Sequence, residues 1–130
     1  MAKHKVINVE GAAPFPLPLS HGTTYGNLVF LSGQVSNDLK NGQIVPGDIT
    51  EQTRRALSNM KLLLENAGSS LDCVLKALVF LVNKEDFPKM NAVYAEFFKG
   101  EIKPARSTII TQLNNDALLV EIEAVAYIPD

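Results

Sequence analysis

Three side chains near the C-terminus of this 130-residue chain have the types and spacing to do chemistry together. Arg106 stands in Pro104-Ala105-Arg106-Ser107-Thr108, and Glu121 and Glu123 stand in Leu119-Val120-Glu121-Ile122-Glu123-Ala124, with an Asn114-Asn115-Asp116 turn between the two segments. A permanent cation and two ionisable carboxylates can handle a small charged molecule if the fold gathers them. Alternation decides part of that. The even positions Leu118, Val120, Ile122, Ala124, Ala126 and Ile128 are all apolar and should face inward, which leaves Glu121 and Glu123 on the odd face. There they are either solvated at a sheet surface or held beside a cation such as Arg106 in a cleft. If the two segments pair as an antiparallel hairpin, the sum of paired residue numbers is constant, and Arg106 shares a face with Glu121 only if that sum is odd or a bulge intervenes.

The elements that must position these groups follow from patterning. Residues 4–9 form a short, weakly patterned strand candidate. Residues 11–22, with Pro14, Pro16 and Pro18 at every second position, should be extended and irregular, because proline fixes φ and removes a backbone donor. The apolar Phe15, Leu17 and Leu19 of that loop need cover; packing on the core is the simpler outcome, lining a pocket the other. After a Gly26-Asn27 turn, the apolar run 28–31 suggests a strand buried on both faces. It ends at Ser32-Gly33-Gln34, a small hydroxyl and a glycine that suit either close approach of a ligand to backbone or a β-bulge. Residues 36–47 read as a hairpin-like loop.

Asp48-Ile49-Thr50-Glu51 has the form of a capping box and Gly68 supplies a stop, which brackets a helix of about five turns with Ala56, Leu57, Met60, Leu63, Leu64 and Ala67 as its apolar stripe. Residues 73–82 are apolar except for Lys76 and should form a central strand. Asp86 can cap a second helix whose stripe is Phe87, Met90, Val93, Tyr94, Phe97 and Phe98. Asn91 sits among them, as a structural bridge to backbone or as a contact near a site. The order strand, strand, helix, strand, helix, strand, strand describes an α+β fold, a mixed sheet with two helices packed on one face. Two helices shield only one face. The other needs cover, most economically from copies of the same chain in a closed symmetric oligomer.

Composition narrows the function classes. The chain should form one domain over residues 1–130, with hydrophobic residues at 46% and charged residues at 20% as in ordinary globular proteins. No run reaches the roughly 20 apolar residues of a membrane helix, and the N-terminal segment lacks a secretory signal pattern, so a cytoplasmic location is expected. A single cysteine, Cys73, cannot form an internal disulfide and reads as a small buried hydrophobe; His4 and His21 lack spaced acidic partners, so no metal site is predicted. Twelve basic against fourteen acidic residues give a net charge of −2, which withholds the general attraction that drives nucleic-acid binding.

Taken together, the ordered motifs resemble the reactive intermediate deaminase family, the RidA/YjgF group, also called endoribonuclease L-PSP or translation inhibitor. The motifs are Gly26-Asn27-Leu28-Val29-Phe30 into Ser32-Gly33-Gln34, Gly47-Asp48-Ile49 with Glu51-Gln52-Thr53, Asn59, Ala67-Gly68, Val74 with Lys76, Asp86-Phe87, Asn91 with Tyr94, Pro104-Ala105-Arg106-Ser107, and Val120 to Ala124. The resemblance implies a chorismate-mutase-like fold, a homotrimer with clefts between subunits, and cofactor-free hydrolysis of reactive enamine and imine acids to 2-oxo acids and ammonia. Carried over by position, Arg106 would hold the substrate carboxylate with help from the backbone amide of Thr108, and Glu121 would position or activate the attacking water, kept ionised by a neighbouring cation. Ser32 and Asn91 would line the pocket, Phe15 and Phe87 would give it apolar wall, and Glu123 would be structural.

This chain departs from the family pattern at Leu19, where the deaminating members carry tyrosine, and at Thr108, where they usually carry cysteine. Leu19 removes a hydroxyl from the expected pocket and shifts it toward apolar or bulkier substrates. Two other functions follow from the same residues: a non-catalytic trimer that senses small carboxylates through Arg106, and the ribonuclease activity attached to some family names, which the acidic charge balance disfavours.

Overall fold

A computed structural model of the chain describes residues 3–14 and 16–130, so the wall position expected for Phe15 lies outside the described residues. Strands β1 (Lys5–Val6), β2 (Gly22–Tyr25) and β3 (Leu28–Gln34) lead into helix α1 (Ile49–Asn66). Strand β4 (Val74–Leu81), helix α2 (Phe87–Phe97) and strands β5 (Ala105–Ile110) and β6 (Val120–Tyr127) complete the chain. The strands form a six-stranded sheet in the order β1-β2-β3-β6-β4-β5. All neighbours are antiparallel except β4 and β5, which run parallel because α2 carries the chain back across the sheet.

Local chemistry accounts for these boundaries. Tyr25 pairs with Leu28, so Gly26-Asn27 is a two-residue hairpin loop, and Gly26 takes the positive φ (59°) that such a loop requires at its first position. Asp48 caps α1 by accepting a hydrogen bond from the Glu51 amide at 2.9 Å. At the other end Gly68, at φ 84°, lets its own amide reach Glu65 O (3.1 Å) and that of Ser69 reach Leu64 O (2.8 Å), closing carbonyls the helix would otherwise leave open. Asp86 behaves otherwise than expected. It ends a short 3-10 turn, Lys84–Asp86, and makes no side-chain cap bond.

The core lies between the sheet and the two helices. Leu57, Met60, Leu63 and Leu64 of α1 are fully buried, with Met90 and Val93 of α2 and Val29, Val79, Val120 and Ile122 of the sheet. Each such side chain contributes roughly 1.5–3 kcal/mol relative to exposure. The even face of β6 points inward as alternation required, and Cys73 is buried. Three polar side chains on α1, Gln52, Thr53 and Asn59, join the interior. Gln52 donates to Gly47 O at 3.0 Å and Ala117 O at 2.9 Å and accepts from the Leu119 amide at 2.9 Å, tying α1 to the segment that enters β6.

The structure corrects three expectations. The strand predicted over residues 4–9 shrinks to Lys5–Val6, and β2, which has only four residues and opens on a glycine, had no pattern to reveal it. The run 28–31 is buried on one face only: Val29 and Leu31 face the helices, whereas Leu28 and Phe30 are 37% and 43% exposed. The third concerns the two C-terminal strands, which form no hairpin, because β4 lies between β5 and β6.

Candidate functional site

Register through β4 places Arg106 and Glu121. Ala77 pairs with both Arg106 and Ala124, whereas Phe80 pairs with both Ile109 and Glu121. Paired residues share a face, so Arg106 belongs to the helix side of the sheet and Glu121 to the open side. Within one chain the two groups lie on opposite faces.

On the open side, Glu121 borders a pocket of about 440 Å³ at the end of β3. Leu19 and Ser32 line it with Glu121, and Pro16 and Leu17 form its rim beneath the proline-rich segment. Leu17 and Leu19 are 53% and 45% exposed, so they flank this pocket and do not pack in the core. Ser32 is held by donating from Oγ to Ser20 O at 2.6 Å, while its amide donates to His21 O at 2.9 Å. A bulge between Leu31 and Gln34 interrupts the pairing of β3 with β6, and the Glu121 carboxylate lies over Gly33, where a Cβ would collide with it. Burial, and secondarily the charge of Glu123, raise the Glu121 pKa above its ordinary value. The neighbouring cation expected to keep Glu121 ionised is not supplied by its own chain among the described residues. Burial lowers the His21 pKa, opposed by a hydrogen bond to the Ala13 backbone.

On the helix side, Arg106 lies at the outer strand β5. Its guanidinium carbon sits 4.6 Å from the centroid of the Tyr94 ring and 5.7 Å from that of Phe87, both on α2. The ion pair found among the described residues is Arg54 with Glu96 at 2.7 Å, on the outside of the helices, so Arg106 has no acidic partner there. Asn91 stands one turn after Phe87 and one before Tyr94. Among the described residues its buried Oδ1 has no hydrogen-bond partner, nor does the buried Tyr94 hydroxyl, so this oxygen of Asn91 makes no bridge to their backbone. Phe87 is 39% exposed and belongs to this surface more than to the core stripe predicted for it. Thr108 follows Arg106 on the same face. Because the Thr111 amide donates to Leu81 O at 2.8 Å, alternation turns the amides of residues 106, 108 and 110 toward the free edge of β5, where an anion can reach them.

The expected residues thus fall into two half-sites, Leu19, Ser32 and Glu121 on one face and Arg106, Thr108, Asn91 and Phe87 on the other. Tyr94 is a site residue that its aromatic stripe hides in the sequence. Gly33, which the sequence offers for a ligand approach or a bulge, lies in the bulge, and its neighbour is the Glu121 carboxylate, a contact that only register reveals.

The chain matches the Endoribonuclease L-PSP family over residues 11–128. It belongs to this RidA/YjgF family. A RutC family protein of Pyrococcus horikoshii is 50% identical over 125 residues, which span 95% of this chain and 97% of that one. A 2-iminobutanoate/2-iminopropanoate deaminase of Dermatophagoides farinae is 38% identical over 130 residues, 98% of this chain and 99% of that one. Among solved structures, a Rid-family protein of Yersinia pestis superposes with a TM-score of 0.89 at 34% identity, covering 96% of this chain and 99% of that one. The two helices on a six-stranded mixed sheet are therefore a RidA/YjgF fold, and the family includes proteins named as imine deaminases.

Proposed function

We propose that this protein hydrolyses imine or enamine carboxylic acids to 2-oxo acids and ammonia, without a cofactor, at clefts between copies in a homotrimer. The observation that carries the reading is Arg106, a half-buried guanidinium with no acidic partner among the described residues, set against Phe87 and Tyr94 of α2, the helix that carries Asn91 and its unsatisfied Oδ1 between those two rings in sequence. A carboxylate satisfies the guanidinium and a substrate N–H the Oδ1, and an imino acid carries both on adjacent carbons. The name of the mite relative supports the same substrate class.

In this mechanism Arg106 and the Thr108 amide hold the carboxylate. As the oxygen of a water molecule bonds to the imine carbon, Glu121 takes one of the water protons and returns it to the nitrogen, giving the carbinolamine; the hydroxyl proton then passes through Glu121 to the nitrogen as the C–N bond breaks and the C=O bond forms, releasing ammonia and leaving the 2-oxo acid. A carboxylate whose pKa is raised by burial is a better proton acceptor near neutrality than an ordinary one. Since Arg106 and Glu121 occupy opposite faces, a site that uses both takes them from two copies. The exposed apolar residues Leu28, Phe30 and Ile109 on the open face of the sheet supply a surface for such an assembly.

The test generates imines in place with an amino-acid oxidase or a dehydratase. The protein should speed release of the 2-oxo acid; Glu121→Gln should lose turnover and keep 2-oxo acid binding, and Arg106→Ala should lose both while remaining assembled. Leu19 favours a second reading, a carboxylate-binding sensor, which is the outcome if 2-oxo acids bind and no imine is hydrolysed faster.

A further inference from the structure

Most buried or half-buried arginines are held by carboxylates, which would occupy the donors a ligand needs. Arg106 is held differently. Its guanidinium lies over the Tyr94 ring at 4.6 Å and near the Phe87 ring at 5.7 Å. The Tyr94 ring is itself fixed, being 8% exposed and packed 4.4 Å from the Phe98 ring, which is 3% exposed. Aromatic faces attract a cation without accepting its N–H bonds, so the fork stays complete while the side chain loses the freedom to swing away. A carboxylate in their place would compete with the ligand. We infer that Tyr94 and Phe87 are positioning residues which cradle Arg106, so that it meets an incoming carboxylate with its donors uncommitted. The inference rests on the carboxylate-binding role given to Arg106 above, but the cradle itself has a signature independent of any ligand. A guanidinium over a ring face carries a ring-current shift on its Nε–H resonance, identified by its disappearance in Arg106→Ala.

In the full-length protein this shifted resonance should persist in Tyr94→Phe, which keeps the ring and removes a hydroxyl that has no partner among the described residues. It should move toward the unshifted position in Tyr94→Leu. With 2-oxobutanoate as probe, Tyr94→Phe should bind within twofold of the unaltered protein, whereas Tyr94→Leu should bind about 3- to 30-fold more weakly, the range a partly desolvated cation–π contact commands. With imine substrates the same loss should fall on KM, leaving kcat within about threefold. Phe87→Leu, at a half-exposed position that tolerates truncation, should show a smaller change of the same kind and serves if Tyr94→Leu does not fold. An unshifted resonance in the unaltered protein, unchanged affinity in both leucine variants, or an equal loss in Tyr94→Phe and Tyr94→Leu would overturn the inference. A shifted resonance in a protein that neither binds 2-oxobutanoate nor hydrolyses imines would leave the cradle standing and sink the deaminase reading.

Discussion

The Glu121 carboxylate fills the space where residue 33 would carry a Cβ, which makes Gly33 a steric partner of the proposed base and not merely a bulge residue. Gly33→Ala should therefore displace the Glu121 carboxylate and lower turnover, while stability in thermal or urea unfolding should change by only about 0.5 kcal/mol, because the group that must yield is the movable end of a half-exposed side chain. The titration of Glu121 offers a second check. Its folded pKa lies above its unfolded value, so its stabilising contribution is full below the ordinary carboxylate pKa and fades as pH rises through the raised one. An arginine from a neighbouring copy would oppose that shift, and so the test belongs on an Arg106→Ala background. There Glu121→Gln should raise Tm at pH 8, with the difference shrinking toward zero below pH 4.5, the reference value for a glutamate. Sequence patterning already separated Glu121 from the inward face of its strand. It could not show that burial and Glu123 act on it unopposed within the chain, because the nearest cations in sequence say nothing about the nearest in space.

Among the elements, α1 and β6 were legible because their patterns are long and regular: a capped five-turn stripe and eight alternating residues. β2 was not, since four residues beginning with glycine carry too little alternation to read. The placement of β5 beside β4 escaped for a different reason. Short separation in sequence suggests a hairpin, but the segment between β5 and β6 instead spans the width of β4, and no local pattern encodes that step. Part of what anchors it is Gln52, whose amide satisfies Gly47 O, Ala117 O and the Leu119 amide from a side chain that is 1% exposed. Gln52→Ala leaves these groups without their partner. Chemical denaturation should show a loss on the order of 3 kcal/mol, against a few tenths for truncating the solvated Arg55 on the same helix.

For the whole molecule, the sequence posed a conflict between apolar strands and too few helices to cover them, and the structure sharpens it into a particular surface. Leu28, Phe30 and Ile109 stand 37%, 43% and 44% exposed on the open face, with Leu78, Phe80 and Val125 half-buried around them. Phe30→Glu would put a charge at the middle of the proposed interface. Sedimentation should then report monomers, against the trimer expected of the unaltered protein, with far-UV circular dichroism unchanged because Phe30 is no part of the buried core. Activity should fall with assembly if each site draws Arg106 and Glu121 from different copies.

The last strand of the chain occupies the middle of the sheet, between β3 and β4. During synthesis, β1 to β3 and the β4-α2-β5 unit can emerge and take local form, but they have no ladder between them until residues 120–127 leave the ribosome. The sheet closes last at its centre. That timing leaves two apolar half-sheets with open edges from the emergence of β5 until β6 arrives, the state in which chains of high contact order are most prone to mispair. It also means that the strand bearing Glu121 is the one that joins the halves, so a chain truncated before residue 120 lacks at once the proposed base and the seam of the fold.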